Sequence, residues 1–439
     1  MGELSGRAKR LWASLLALLI AGLLVPALAG AEWSAPVDLS NAGQNAHSPQ
    51  VAVDADGDAV FTWTRFDGAN FRVQARVRSA AGTLSAVQTL SSSGQDAVEP
   101  QVAVDADGDA VFVWRRSDGA NTRIQARARS AAGTLGPVQT LSDPGQSAFF
   151  PHVAIRRTTG AAVFTWRRFG GANTRIQARA RSAAGVLSPV QTLSDPGQNA
   201  DNPQVAVDAD GNAVFTWTRS DGANSRIQAR TRSAAGVLSS VQTLSSSGQS
   251  ATEPQVAVDP DGDAVFAWRR FDGTDFRVQA RARSAAGALS GVQTLSASGP
   301  DTDAVRPHVG VDADGDAVFS WERFDGSNTR IQSRARSAAG TLSAVQDVSN
   351  AGQNALNNQV AVDVAGDAVF AWTRFDGANF LAESRTRSAA GTLRPFTTLS
   401  DQGESALQPQ VAVDGDGDAV VTWTRSDGAN SRIQATAGP

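Results

Sequence analysis

Cysteine is absent from this chain of 439 residues, which excludes disulfides, a thiol nucleophile and a zinc–thiolate site. Small exported domains lean on disulfides, but about 400 residues bury enough core to fold without them. Lysine occurs once, at Lys9, and every later cation is arginine, which reads as a GC-rich bacterial codon signature. Histidine occurs three times, at His47, His152 and His308. No paired histidines, Ser-His-Asp set or phosphate-cradling glycine loop accompanies them. Helical periodicity is missing beyond the N-terminus, and so is any second long apolar run.

The first residues read as a secretory signal peptide. Arg7, Lys9 and Arg10 precede the apolar run Leu11 to Leu24, and small-x-small cleavage sites follow at Ala27-Leu28-Ala29 and Ala29-Gly30-Ala31. Cleavage is expected after Ala31, giving a signal peptide over 1–31 and a single domain over 32–439. An uncleaved anchor needs ~18 or more consecutive apolar residues, and this run is borderline. Loss of three cations and Glu3 moves the net charge from −4 to −6. Nucleic acid wants a basic stripe, so that acidity argues against it as a partner.

What is abundant is repetition. Trp63, Trp114, Trp166, Trp217, Trp268, Trp321, Trp372 and Trp423 follow one another at intervals of 51, 52, 51, 51, 53, 51 and 51 residues. One unit has been copied eight times, the signature of a repeat architecture. In the first copy, Pro49 to Asp54 is a β-rich run ending in the turn Asp54-Ala-Asp-Gly-Asp58. Ala59 to Arg65 alternates, with Phe61 and Trp63 on one side and Val60 and Thr62 on the other. The turn Asp67-Gly-Ala-Asn70 leads to a third strand, Arg72 to Arg78, and Ser79 to Thr83 turns into a fourth, Leu84 to Leu90. Four short antiparallel strands in about fifty residues is the size of a propeller blade; a sandwich domain needs roughly 100.

The ends of the repeat array sharpen this. Trp33 to Leu39 matches a fourth strand, whereas the last copy reaches only Arg432-Ile-Gln-Ala435 in its third. We expect an all-β, closed eight-bladed β-propeller in which residues 33–40 complete the last blade and remove the open sheet edge. Val51-Ala-Val-Asp-Ala-Asp-Gly-Asp-Ala-Val60 resembles the first half of the NHL-type propeller repeat, and the set over 33–435 resembles secreted bacterial propeller-repeat proteins. The pattern departs from the sialidase Asp-box and from the tryptophan motif of eight-bladed quinoprotein dehydrogenases. The resemblance implies a fold and no particular activity.

Candidate sites are few. The repeated Trp and its neighbouring Phe are expected in the packing between blades. The Asp54 turn lacks the spacing of an EF-hand, with glycine fourth and Arg65 twelfth, so it reads as a hairpin and no metal is expected. Arg76 and Arg78 recur and suggest a surface ladder in which Arg78 approaches Asp58. His152 and His308 replace a glutamine found at Gln50, Gln101, Gln204, Gln255, Gln359 and Gln410, predicting a ring of six Gln and two His near one channel mouth. Copy three breaks its own pattern: Phe149, Phe150 and His152, brought near Phe169, would form a stacking surface, or the two phenylalanines would fill a gap between blades.

Copies one and two differ at 13 of 51 positions, so a ligand of the repeat would be met many times over. The loops around Arg65, Asp67, Asn70 and Gln95 would supply its polar contacts. The expectation is a secreted, monomeric, non-enzymatic propeller, without cofactor, acting as a multivalent binding module for surface glycans or partner proteins. The alternatives are a polysaccharide hydrolase or lyase and a purely structural or adhesive surface protein.

Overall fold

The computed structural model describes residues 32–297, 299 and 302–438; the expected signal peptide lies outside them. No helix among these residues is long and apolar enough to cross a membrane. Eight sheets of four antiparallel strands make up the described chain. In the first blade the strands are Ala46–Val53, Ala59–Phe66, Phe71–Arg78 and Gln88–Thr89. The first strand of every blade is an edge strand, and it packs against the first strands of its two neighbours around a closed ring, the eighth against the first.

Closure is made by the N-terminus. Val37–Asp38 is the outer strand of the eighth blade, pairing Val37 with Ala435 and Asp38 with Gln434. The Leu39 amide donates to the Ile433 carbonyl at 2.8 Å, and Ser40 Oγ accepts from the Ile433 amide at 3.0 Å. The last third strand is complete, running Ser431–Gly438 rather than stopping at Ala435. Trp33 packs against Gly438, where a Cβ would sit 2.6 Å from its ring.

All eight repeated tryptophans are fully buried. Each sits with its neighbouring Phe (Val421 in the last copy) in a cluster that joins two successive blades; Trp114 and Phe112 pack on Val60, Val73 and Leu90 of the blade before. Both faces of the second strand are therefore interior: Val60 and Thr62 are as buried as Phe61 and Trp63. Thr62 satisfies its hydroxyl by donating to the Gln74 carbonyl at 2.9 Å.

The fourth strand is shorter than its sequence pattern suggests. Only Gln88–Thr89 joins the ladder, with an isolated bridge from Leu84 to Arg78. Ser85 Oγ takes the Val77 amide that a longer strand would use, and other copies carry Pro137, Pro189 or Pro395 in this stretch. Proline has no amide to donate, so it confines the pairing to an edge.

The arginine ladder also differs from expectation. Arg76 donates to the Ser85 carbonyl at 2.7 Å and to the Leu39 carbonyl of the preceding blade at 3.1 Å. Arg129, the second copy's equivalent of Arg78, donates to Gln88 Oε1 across the blade boundary at 2.8 Å. Asp58 instead accepts from the Ala80 amide at 2.9 Å. These guanidiniums staple blades through carbonyl and amide oxygens, because the nearby carboxylates are already engaged in turns.

Candidate binding face at the channel mouth

The Asp54 turns line one end of the channel. Asp54 Oδ1 accepts from the amides of Asp56 and Asp58 at 3.0 and 2.8 Å. Its Oδ2 faces Gly108 of the next blade, 2.9 Å from where a Cβ would be. Gly108 has φ +85°, so glycine is required there both by conformation and by close approach. Burial raises the Asp54 pKa. Among the described residues no group of three or more ligand-type side chains gathers for a metal.

The other end is built differently. Between His47 and Gln50 the pairing with the second strand slips by one residue, leaving a β-bulge at Ser48-Pro49. Ser48 has φ 56°, and its equivalents Glu99, Phe150, Asn202, Glu253, Arg306, Asn357 and Gln408 all have φ between 52° and 57°. None is glycine, although a left-handed conformation costs an ordinary residue about 1–2 kcal/mol. The same backbone strain is kept in every blade. In seven blades proline follows; in the seventh, Asn358 replaces it, buried and donating to Ser320 Oγ at 2.8 Å.

Three positions per blade vary at this rim while the scaffold repeats: the bulge residue, the residue before it, and the residue paired with the latter on the second strand. They read His47, Ser48 and Thr64 in the first blade, Phe149, Phe150 and Arg167 in the third, and Val305, Arg306 and Glu322 in the sixth. Their charges pair with each other. Arg115 meets Glu99 at 2.8 Å, Arg269 meets Glu253 at 3.2 Å, Arg306 meets Glu322 at 3.0 Å, and Arg167 reaches Asp201 of the next blade at 2.6 Å. Bulge amides are also capped from the preceding blade: Ser48 by Gln408 at 3.2 Å, Arg306 by Glu253 at 3.1 Å, Asn357 by Glu322 at 2.6 Å.

The third blade carries the aromatic part of this rim. Phe149 is flanked by the guanidiniums of Arg115 and Arg167, at 5.5 and 5.1 Å from its centroid, and Arg167 also stacks on Phe150 at 4.6 Å. Phe149 is half-buried in that sandwich, whereas Phe150 is 40% exposed. Phe169 is 48% exposed at the end of the second strand, held by its amide to the Ser147 carbonyl, and stacks on neither phenylalanine. His152 follows Phe150 by two residues along the same strand, 3.4 Å from Gln204 of the next blade. Burial lowers the pKa of His152 to about 4; burial, helped by Arg306, does the same to His308.

The repeated loops lie on this same face, further out, where Arg65 and Asp67 are engaged in internal contacts. Asp67 Oδ1 caps the amides of Ala69 and Asn70 at 3.0 and 2.8 Å, and Oδ2 pairs with Arg72 at 3.2 Å. Arg65 donates to the Ala42 carbonyl at 3.0 Å, tying down the loop from the preceding blade. Gln95 sits beside the Gly119 turn of its own blade, 3.9 Å from the Cβ position of Gly119. The bulge ring itself gives no sequence motif, because its residues run Ser, Glu, Phe, Asn, Glu, Arg, Asn and Gln from blade to blade. The signal that would have found it is the residue pair before the Pro49 position, which differs in all eight copies while the strand after it repeats.

No family model and no curated protein matches the chain. Solved structures do. A Dos1 propeller aligns at 10% identity and TM-score 0.54, covering 93% of this chain and 95% of that one. The WD40 domain of SCAP from fission yeast aligns at 11% identity and TM-score 0.55, covering 92% and 98%. A prolyl endopeptidase aligns at 15% identity and TM-score 0.50, covering 87% of this chain and 53% of that one. At such identities the likeness is one of fold, and the chain is an eight-bladed β-propeller.

Proposed function

We propose that this propeller is a secreted, non-catalytic binding module whose contacts are made by the bulge-ring face of the channel. One observation carries the reading: around that mouth every blade presents a different triplet of side chains, with the bulge residue of each held at positive φ. A ring needed only for packing has no use for eight different rim triplets. The rim differs from blade to blade, so it suits one asymmetric ligand better than eight equivalent ones. Binding eight times through Arg65, Asp67, Asn70, Gln95 and their equivalents has less support, since Arg65 and Asp67 are already engaged in internal contacts.

A hydrolase or lyase reading has less support still. The buried Glu322 is engaged by Arg306 and the Asn357 amide, and the buried Glu383 by Trp372 and Arg374. The test uses residues 32–439, screened against polysaccharides and a displayed peptide library. Ligands recovered should be lost with Phe150→Gly and Asn202→Arg, and retained with Val364→Arg at the opposite mouth. Ligands insensitive to the first two and abolished by the third would refute the choice of face.

A further inference from the structure

The bulge ring encloses a cavity of about 400 Å³. Its floor is laid by Gln50, Gln101, Gln255, Gln359, Gln410 and His308, which reach it from six blades. Blades three and four contribute nothing to the lining, so the cup is off-centre and the Phe150 ring stands on the side they leave. The volume is at the low end of the ~300–1,000 Å³ typical of small-molecule sites, too small for a folded partner and large enough for a chain end.

The chemistry of the lining is selective. Small-molecule sites are mostly apolar, but here the apolar residues of the lining are all prolines. Each of the cup's ionic side chains is compensated next to it: Glu99 by Arg115, Glu253 by Arg269, Arg306 by Glu322. His308 is uncharged at neutral pH, its pKa lowered to about 4 chiefly by burial. The cup therefore offers a full ion no net attraction.

What it does offer is side-chain amides, each both donor and acceptor, converging on one space. Hydroxyl groups have the same dual capacity. Two acceptors on lining residues, Glu99 Oε2 and Asn358 Oδ1, are buried without a partner. The exposed face of Phe150 supplies an apolar platform for the C–H face of a ring at the rim.

We propose that the cup takes the neutral, hydroxyl-rich end of a single saccharide chain, entering along the channel axis, one per propeller. This rests on the bulge-ring face being the binding face. The convergence of glutamines exists only in the closed ring, which gives the saccharide one site although the blade is copied eight times.

Calorimetric titration of residues 32–439 with neutral hexaoses (cello-, manno-, malto-, xylo- and chito-series) and with hexagalacturonate tests this. The expected result is saturation at one site by a neutral hexaose, with at least tenfold weaker binding in Gln359→Leu and in Phe150→Ala and unchanged binding in Val364→Arg. Gln359→Asn, which keeps an amide but shortens it, gives the same readout if the leucine variant does not fold by circular dichroism. A stoichiometry near eight, tighter binding of hexagalacturonate, wild-type affinity in the folded cup variants, or no neutral hexaose bound would each overturn the inference. If displayed peptides map to the bulge-ring face while every hexaose fails, the face stands and the saccharide falls. If a hexaose binds and only Val364→Arg abolishes it, both fall.

Discussion

The eight core tryptophans are alike in burial but not in bonding, and that difference makes a sharp prediction. Trp217 is fully buried, and its indole N–H has no acceptor; the amide oxygen of Gln228, its directly paired residue, is equally unpartnered. Trp372 is just as buried, but its Nε1 donates at 3.0 Å to Glu383, which replaces the glutamine and is 2% exposed. Trp217→Phe removes roughly three buried ring atoms, which costs about 2 kcal/mol at ~0.8 kcal/mol per buried carbon. Trp372→Phe loses the same volume and also a hydrogen bond to a buried carboxyl group, a further ~1.5–3 kcal/mol. Urea unfolding of both variants, followed by far-ultraviolet circular dichroism, should give equal m-values and a midpoint lower for the seventh-blade variant. Equal losses would refute the reasoning, because Trp217 would then have to be bonded to Gln228 as firmly as Trp372 is to Glu383.

Three further outcomes follow from the same geometry. Removing residues 32–40 strips the outer strand from the eighth blade and the fully buried Leu39 from its cluster; size-exclusion chromatography should show aggregation, and a monomeric truncation with a cooperative transition would count against closure. Gly108→Ala should cost more than Gly94→Ala, because both have positive φ, worth about 1–2 kcal/mol, but only Gly108 faces a neighbouring carboxylate at 2.9 Å; thermal midpoints of the two variants decide it. Burial raises the folded pKa of Glu383 above its ordinary value of 4.5, so the native state holds the extra proton and stability falls as pH rises from the ordinary value through the folded one. Glu383→Gln should remove that slope, leaving the variant relatively more stable at pH 8 than at pH 4, and an unchanged pH profile of the urea midpoint would show that Glu383 is not its source.

Much of the architecture is local and therefore legible in sequence. Alternation in Ala59–Arg65, the Asp-Gly turns and the tryptophan spacing are dictated by strand geometry and glycine conformation, which depend on near neighbours. The spare strand at Val37–Asp38 was legible too, since a copied unit shows what one end has in excess. The fourth strand and the arginines were read less well. A fourth strand is an outer edge whose pairing depends on what else takes its partners' amides, and Arg76 finds the Leu39 carbonyl only after two blades have docked.

The bulge ring belongs wholly to the tertiary structure. Ser48, Phe150 and Arg306 share no chemistry, so no pattern announces them; what they share is a positive φ imposed where the ladder slips, and a place around one axis. Sequence alone determined the blade, its copy number and its closing strand, because those follow from periodicity and turn chemistry. The repeat also placed six glutamines with His152 and His308 near one channel mouth, but only the closed ring decided that five of those glutamines and His308 meet in one off-centre cup. Residues about fifty positions apart in the chain become neighbours solely through the packing of whole blades.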